Sequence, residues 1–223
     1  MDDLTASPTT SRLDPRQVRS RALILDAATE HFLRHGYLGG NIDVLAAEAG
    51  VAKRTVYNLF DSKDELFRAA VGRAIATAES FVAEHVEVVA QGESGASFAE
   101  AFDAFAVAHA RAVLTPRVLA TRRMLIGESG RFPELAAEYF ERVPGRVIAA
   151  IAGMLGRLDD EGRLRVPDPQ LAAEHFAYLV LGATLDRALF DPAVLEPTAL
   201  DRDLIDAKAR AGARAFRSVY APR

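Results

Sequence analysis

The chain of 223 residues contains no cysteine and no tryptophan, and only three methionines. Without thiols, disulfides, thiolate metal sites and cysteine nucleophiles are excluded. Long apolar runs are missing too. The longest, Phe176 to Leu185, falls well short of the roughly 20 residues a membrane helix needs. The N-terminus, Met1-Asp2-Asp3, has no basic stretch followed by an apolar one, which predicts no signal peptide, no membrane partner and a cytoplasmic location. Nor is there an excess of positive charge. The formal net charge is −4, whereas nucleic-acid-binding domains are usually basic. The deficit is uneven, however. Residues 1–63 carry 8 basic and 8 acidic side chains, against 19 and 23 in residues 64–223. Arg12, Arg16, Arg19 and Arg21 cluster with only Asp14 opposing them, and two of the three lysines are Lys53 and Lys63.

What is present is material for helices. Half of the residues are hydrophobic, and Ala, Leu, Glu and Arg dominate. No strand signal and no internal repeat are visible, so the expected class is all-α. Residues 1–15 are rich in Ser, Thr, Asp and Pro and lack an apolar period, which predicts a flexible arm. Ile24, Ala27, Ala28 and Phe32 then share one helical face until Gly36 stops it. Ile42, Leu45, Ala46 and Ala49 form a second stripe, Gly50-Val51 a corner, and Val56, Leu59 and Phe60 a third. Ser62 and Glu65 have capping-box spacing at the start of a long helix with no breaker before Gly92. Such a helix leaves the small N-terminal domain and enters a second one.

Further boundaries follow at Gln91 to Gly95, at Thr115-Pro116 and at Gly130 to Pro133. Val143-Pro144-Gly145 interrupts an otherwise helical pattern and predicts a kink or split. Asp168-Pro169 is an N-cap with proline in the first turn. The helix that follows, about 169–189, is apolar on nearly every face, which calls for several packing partners. Thr198 and Asp201 resemble a further capped start, and Ala211 and Ala215 give the last helix, about 199–220, a small-residue face. About nine helices are expected in all.

The chemistry concentrates in residues 42–66. Two short helices around a tight corner, followed by a capped third, are the arrangement that delivers a helix into the DNA major groove. The second of them carries Lys53, Arg54, Thr55, Tyr57 and Asn58, which suit phosphates and base edges. No paired carboxylates, nucleophile–base set or phosphate loop suggests an enzyme, and no cofactor is implied.

Residues 24–37 (ILDAATEHFLRHGY) and 45–67 (LAAEAGVAKRTVYNLFDSKDELF) resemble the DNA-binding domain of TetR-family transcriptional regulators. The remainder resembles, more loosely, that family's helical ligand-binding and dimerisation bundle, chiefly at residues 130–147 and 168–176. The resemblance implies an arm at 1–15, a three-helix helix-turn-helix domain at 16–62, and an effector-binding and dimerisation domain at 63–223. It implies that Tyr57 meets the DNA backbone, that Thr55 and Lys63 contact phosphate, and that Lys53, Arg54 and Asn58 read base edges. Two positions depart from the family pattern. Ala52 stands where many members have a capping Ser, and Gly40-Asn41 where many have Thr-Thr. Asn41 can still cap the helix and donate to a phosphate.

For the second domain, His85, His109 and His175 fit no local metal-ligand spacing, so no metal is expected. Phe81, Phe102, Phe105, Met124, Tyr139 and Tyr178 are candidates to line an apolar cavity, with His109 or Arg123 as its polar anchor. The expected function is that of a homodimeric repressor, paired through helices 169–189 and 199–220, bound to a palindromic operator and released by a small, largely apolar effector. An activator or a regulator controlled by a protein partner is the alternative within the class. A helical ligand carrier is the alternative outside it.

Overall fold

In the computed structural model, the described residues are 14–91, 97–191, 193 and 200–222, with the side chains of 80–91 left aside. Among them there are α-helices and no strands. The chain divides into two compact units, Met1–Ala70 and Val71–Arg223.

In the first unit, α1 (Pro15–Gly39) starts on a reciprocal cap. Asp14 Oδ1 accepts from the Arg16 amide at 2.9 Å, and Gln17 Oε1 accepts from the Asp14 amide at 3.1 Å. The residues before Asp14, including most of the expected arm and Arg12, lie outside the described part. The expected stop at Gly36 is a kink: its φ of 67° breaks the helix, and one further turn follows. Then come α2 (Ile42–Glu48) and α3 (Lys53–Leu59). Their corner is a Schellman closure. Gly50 adopts φ 67°, its amide bonds to Ala47 O, and the Val51 amide bonds to Ala46 O at 3.0 Å. Ile24, Ala28, Phe32, Leu45, Val56, Phe60, Leu66 and Phe67 fill the core beneath these helices. Phe32 and Tyr37 both meet Phe67 edge-on, at 5.0 and 5.3 Å between ring centroids.

Helix α4 (Lys63–Gln91) begins at the expected cap, but its return arm is displaced by one residue. Ser62 Oγ accepts from the Glu65 amide, while the Glu65 carboxylate accepts from the amide of Asp61 instead of Ser62. Phe81 and His85 fall where side chains are not described, and the expected loops at 91–95 and 190–197 lie largely outside the described residues.

The second unit continues with α5 (Phe98–Val113), α6 (Pro116–Glu128) and α7 (Pro133–Phe140). The interruption expected at Val143-Pro144-Gly145 takes the form of a π turn. Residues Glu141–Gly145 form a π-helical turn that leads directly into α8 (Arg146–Asp160). Widening the turn accommodates Pro144, which has no amide to donate, without ending the rod. Helix α9 (Pro169–Phe190) starts on Asp168, whose Oδ1 accepts from the Leu171 amide at 3.0 Å. It packs against α5, α6, α8 and α10, which explains its all-round apolarity. In α10 (Arg202–Val219), capped by Asp201, the inward face carries Ala209, Gly212 and Ala213. The core centres on Phe102, Phe176 and Phe216, with Phe102 stacked on Phe216 at 5.7 Å. Counted with α7, the π turn and α8 as one rod, the described residues contain nine helices.

Candidate nucleic-acid interface and ligand cavity

Val56 and Phe60, only 2% and 1% exposed, anchor α3 in the core of the first unit. Helical geometry then turns the opposite face outward. Lys53, Arg54, Tyr57 and Asn58 are all exposed, and Thr55 is half-buried between the two faces. Arg54 and Asn58 are four residues apart and so lie one above the other, as do Lys53 and Tyr57. Ala52, where a capping Ser was missing from the sequence, indeed makes no side-chain cap. Asn41 does cap: its Oδ1 accepts from the Asp43 amide at 2.8 Å, which leaves its NH2 group pointing away from the capping bond.

Lys53 and Lys63 are already engaged. The Lys53 ammonium lies 2.8 Å from Asp43 in the first turn of α2, and that hydrogen bond and charge raise its pKa above the ordinary value. Lys63, the first residue of α4, sits 4.7 Å over the Tyr37 ring, with Nζ 3.5 Å from Leu38 O. The Tyr37 hydroxyl in turn donates to Asp64. Tyr37 therefore holds the start of α4, a role not visible in the sequence alone. Arg21, part of the basic cluster in the sequence, turns to the protein itself. Its Nη1 donates to Leu59 O at 3.0 Å and its guanidinium lies 4.4 Å over Phe60, so it closes the C-terminal end of α3.

In the second unit, an open-sided cavity of about 730 Å³ is lined by segments of α4 to α9. Its wall is mostly apolar (Val113, Val118, Val143, Val147, Ile148, Leu181, Leu185). Three of the expected residues line it: His109, Tyr139 and Tyr178. His109 and Tyr139 are buried, whereas Tyr178 is 76% exposed and stands at the open side. Burial pushes the Tyr139 phenol above its ordinary range, against the lowering effect of the neighbouring Arg122 guanidinium, which also lines the cavity. Thr77, Thr115, Thr121, Glu174 and Asp186 are further polar groups on the wall.

Four expected residues are elsewhere. Phe102 is a core side chain and Phe105 stacks on Phe176 at 5.1 Å, so both serve the aromatic cluster. Arg123 reaches the end of α9, donating to Ala188 O and Leu189 O, and so caps that helix instead of anchoring a ligand. Met124 is half-buried and not part of the wall. At the rim, Arg142 from the π turn pairs with Glu79 and Glu138, and Arg146 lies 3.2 Å from Glu79. Among the described residues, no group of three His, Cys, Asp or Glu side chains is arranged to hold a metal. No described helix is long and apolar enough to cross a membrane.

A helix-turn-helix unit presenting one polar helix, followed by a helical unit that lines an apolar cavity, defines a DNA-binding regulator with a ligand-sized pocket. Comparison with known proteins gives the family. Residues 24–70 match the model for bacterial regulatory proteins of the TetR family, and residues 100–222 match the AefR-like transcriptional repressor C-terminal domain. The chain belongs to the TetR family of DNA-binding transcriptional regulators. It is 43% identical over 54 residues to an HTH-type transcriptional repressor of Streptomyces coelicolor, a match covering 24% of this chain and only 27% of that relative. Its fold is similar to that of a TetR-family regulator from Mesorhizobium loti, with a TM-score of 0.79, 24% identity, and coverage of 93% and 100% of the two chains. The flavonoid-responsive regulator FrrA is 29% identical, with a TM-score of 0.66 and coverage of 92% and 99%.

Proposed function

We propose that the chain is a homodimeric repressor that reads a palindromic operator with α3 and is released by a small, largely apolar ligand. The observation that carries the DNA part is the geometry of α3: Val56 and Phe60 fix its inner face and leave Lys53, Arg54, Tyr57 and Asn58 outward. In this reading, residues 16–62 bind DNA and residues 63–223 bind the effector and pair the subunits. Arg54 and Asn58 read base edges, Arg with guanine and Asn with adenine as their natural partners. Thr55, Tyr57, Lys63 and the Asn41 amide hold the phosphates. Exposed Leu171, Tyr178, Leu179 and Phe190 of α9, with Leu204 and Val219 of α10, supply apolar surface for pairing. Pairing by a two-fold axis places two such helices one DNA turn apart, about 34–36 Å.

The cavity supports the ligand part. Its size and apolar wall suit a compact hydrophobic molecule with few polar groups. The likeness to a regulator described as flavonoid-responsive makes planar phenols sensible first probes. Helix α4 carries both Lys63 at its start and Ala74, Thr77 and Ala78 of the cavity wall, so a ligand pressing on that wall acts on the helix that bears a phosphate contact. Complete switching between two states needs roughly 5.5 kcal/mol of differential affinity. The chain is a cytoplasmic protein in this reading, and it catalyses no reaction.

The test is a salt titration of duplex binding, with a duplex selected from a random pool by the wild-type chain. Lys63→Ala should weaken binding to all sequences and reduce the slope of log K against log salt by about one unit. Arg54→Ala should instead relax preference at one base position, by about 1–3 kcal/mol. Unchanged affinity in both variants refutes the docking of α3.

A further inference from the structure

His31 is buried in the first unit, 2% exposed, in the middle of α1 beside the buried Ala28, Thr29 and Phe32. Both ring nitrogens are engaged. Nδ1 lies 2.9 Å from Glu48 Oε2, and Nε2 lies 3.1 Å from the backbone amide of Asn41. A backbone amide only donates, so Nε2 must offer its lone pair. The ring proton is therefore on Nδ1, where it donates to the Glu48 carboxylate. This places one imidazole between the two ends of α2. It accepts from the capping residue Asn41 at the start and donates to Glu48, the last residue, at the finish.

The Glu48 carboxylate of α2 lies against the ring; from α1, Arg34 lies 3.3 Å from that carboxylate, and the His35 ring lies 4.7 Å from His31. Burial pushes the Glu48 carboxyl upward, but the His31 hydrogen bond and the Arg34 charge outweigh it and leave its pKa lowered. Glu48 thus stays an acceptor, and its bond to Nδ1–H holds whether or not the ring gains a proton. The Asn41 bond does not. A proton on Nε2 sets one donor against another, while the added charge draws the ring toward Glu48.

We propose that His31 is a positioning residue for DNA binding, which holds the start of α2 through the Asn41 amide, and that acid releases this end and weakens the complex. The inference rests on the DNA reading above, in which Asn41 meets a phosphate. Its sign is distinctive. General electrostatics makes a protein bind DNA more tightly in acid, because every added proton increases attraction to the phosphates. Here the sign is reversed, because a second ring proton would face the Asn41 amide.

The experiment follows affinity of the full chain for the selected duplex between about pH 7.5 and pH 5.5, in the range where histidines change charge. The wild type should weaken about tenfold, which corresponds to about 1.4 kcal/mol. His31→Gln can accept from Asn41 and donate to Glu48 but cannot titrate, so it should bind within about threefold of wild type at the upper pH and lose the acid decline. His31→Leu should bind weakly at both pH values. His35→Gln should leave the decline in place. Wild-type binding that is constant or tighter in acid overturns the proposal, as does a decline that persists in His31→Gln. The nitrogen NMR spectrum of the wild-type imidazoles gives a readout free of any variant. A bare Nε2 and protonated Nδ1 on His31 at neutral pH support the assignment, and the opposite tautomer sinks it. If no duplex is ever selected, the DNA reading fails, and that spectrum still decides the tautomer.

Discussion

Gly212 of α10 lies where an added Cβ would meet Leu179 O at 2.4 Å, Leu179 C at 2.7 Å and Val180 N at 3.0 Å. All three atoms belong to the backbone of α9, so no rotamer change can clear them. Gly212→Ala must push the two helices apart by a substantial fraction of an ångström. A gap of 0.5–1 Å forfeits about a quarter to a half of the dispersion attraction at each contact along the seam. Ala209, Ala213 and Phe216 on α10 face that seam from fully buried positions. Overpacking against a movable side chain costs about 1–3 kcal/mol, and an immovable backbone puts this case near 3. Alanine in place of glycine returns about 1 kcal/mol of helix propensity. The net loss is about 2 kcal/mol, or roughly 4–8 °C in Tm for a unit of this size. The control is Gly72→Ala in α4, where nothing lies within 4 Å of the new Cβ. That variant should gain about 0.5–1 kcal/mol. Calorimetry or far-UV melting of the full chain measures both. A Gly212→Ala protein that melts at or above the wild-type temperature refutes the close-approach reasoning.

Two pH responses follow from the second unit. The Arg142 hydrogen bond holds the Glu79 carboxyl below its ordinary range, aided by the Arg142 and Arg146 charges and opposed by burial. A lowered folded pKa means a contribution present above the unfolded value and lost as pH falls through the folded one. Glu79→Gln should therefore be less stable than wild type near neutrality, with the difference shrinking in acid melts; a constant difference counts against the pairing. The Tyr139 phenol is raised by burial, so its contribution is complete below the unfolded value and is lost as pH rises through the folded one. Burial and the Asp168 charge also raise the Tyr220 phenol, so alkaline difference spectroscopy should show late-ionising tyrosines of which the Tyr139 component disappears in Tyr139→Phe and is delayed further by a ligand filling the cavity.

Several helix starts were legible because each rests on a local residue: Asn41, Thr115, Asp168 and Asp201 all accept from an amide two or three residues on. The outward face of α3 was legible for the same reason, since Val56 and Phe60 fix the helix phase. Roles that depend on distant partners were not. Arg123 is suited to anchor a ligand until the fold brings it to carbonyls 65 and 66 residues away. His31 reads as an unremarkable helix residue until Glu48 and Asn41 are found on either side of it. Among the aromatics, composition could not separate core from cavity. That division depends on what each ring packs against: Phe102 and Phe105 join the cluster around Phe176, whereas Tyr139, though buried, borders the cavity.

The Lys53–Asp43 pair gives the unit a built-in competitor for DNA. A lysine that approaches an ordinary phosphate trades one oxyanion for another and leaves Asp43 exposed behind it. An exposed pair of this kind adds little to folding, but it must be given up before the ammonium can settle on a phosphate. In the proposed reading of base edges by Arg54 and Asn58, a matching base pair offsets the trade and a bare backbone does not. The neutral charge balance of residues 1–63 works in the same direction. If this unit reads DNA as proposed, it forgoes indiscriminate stickiness, so that a larger share of its hold would depend on sequence and less of the protein would be lost to the rest of the genome.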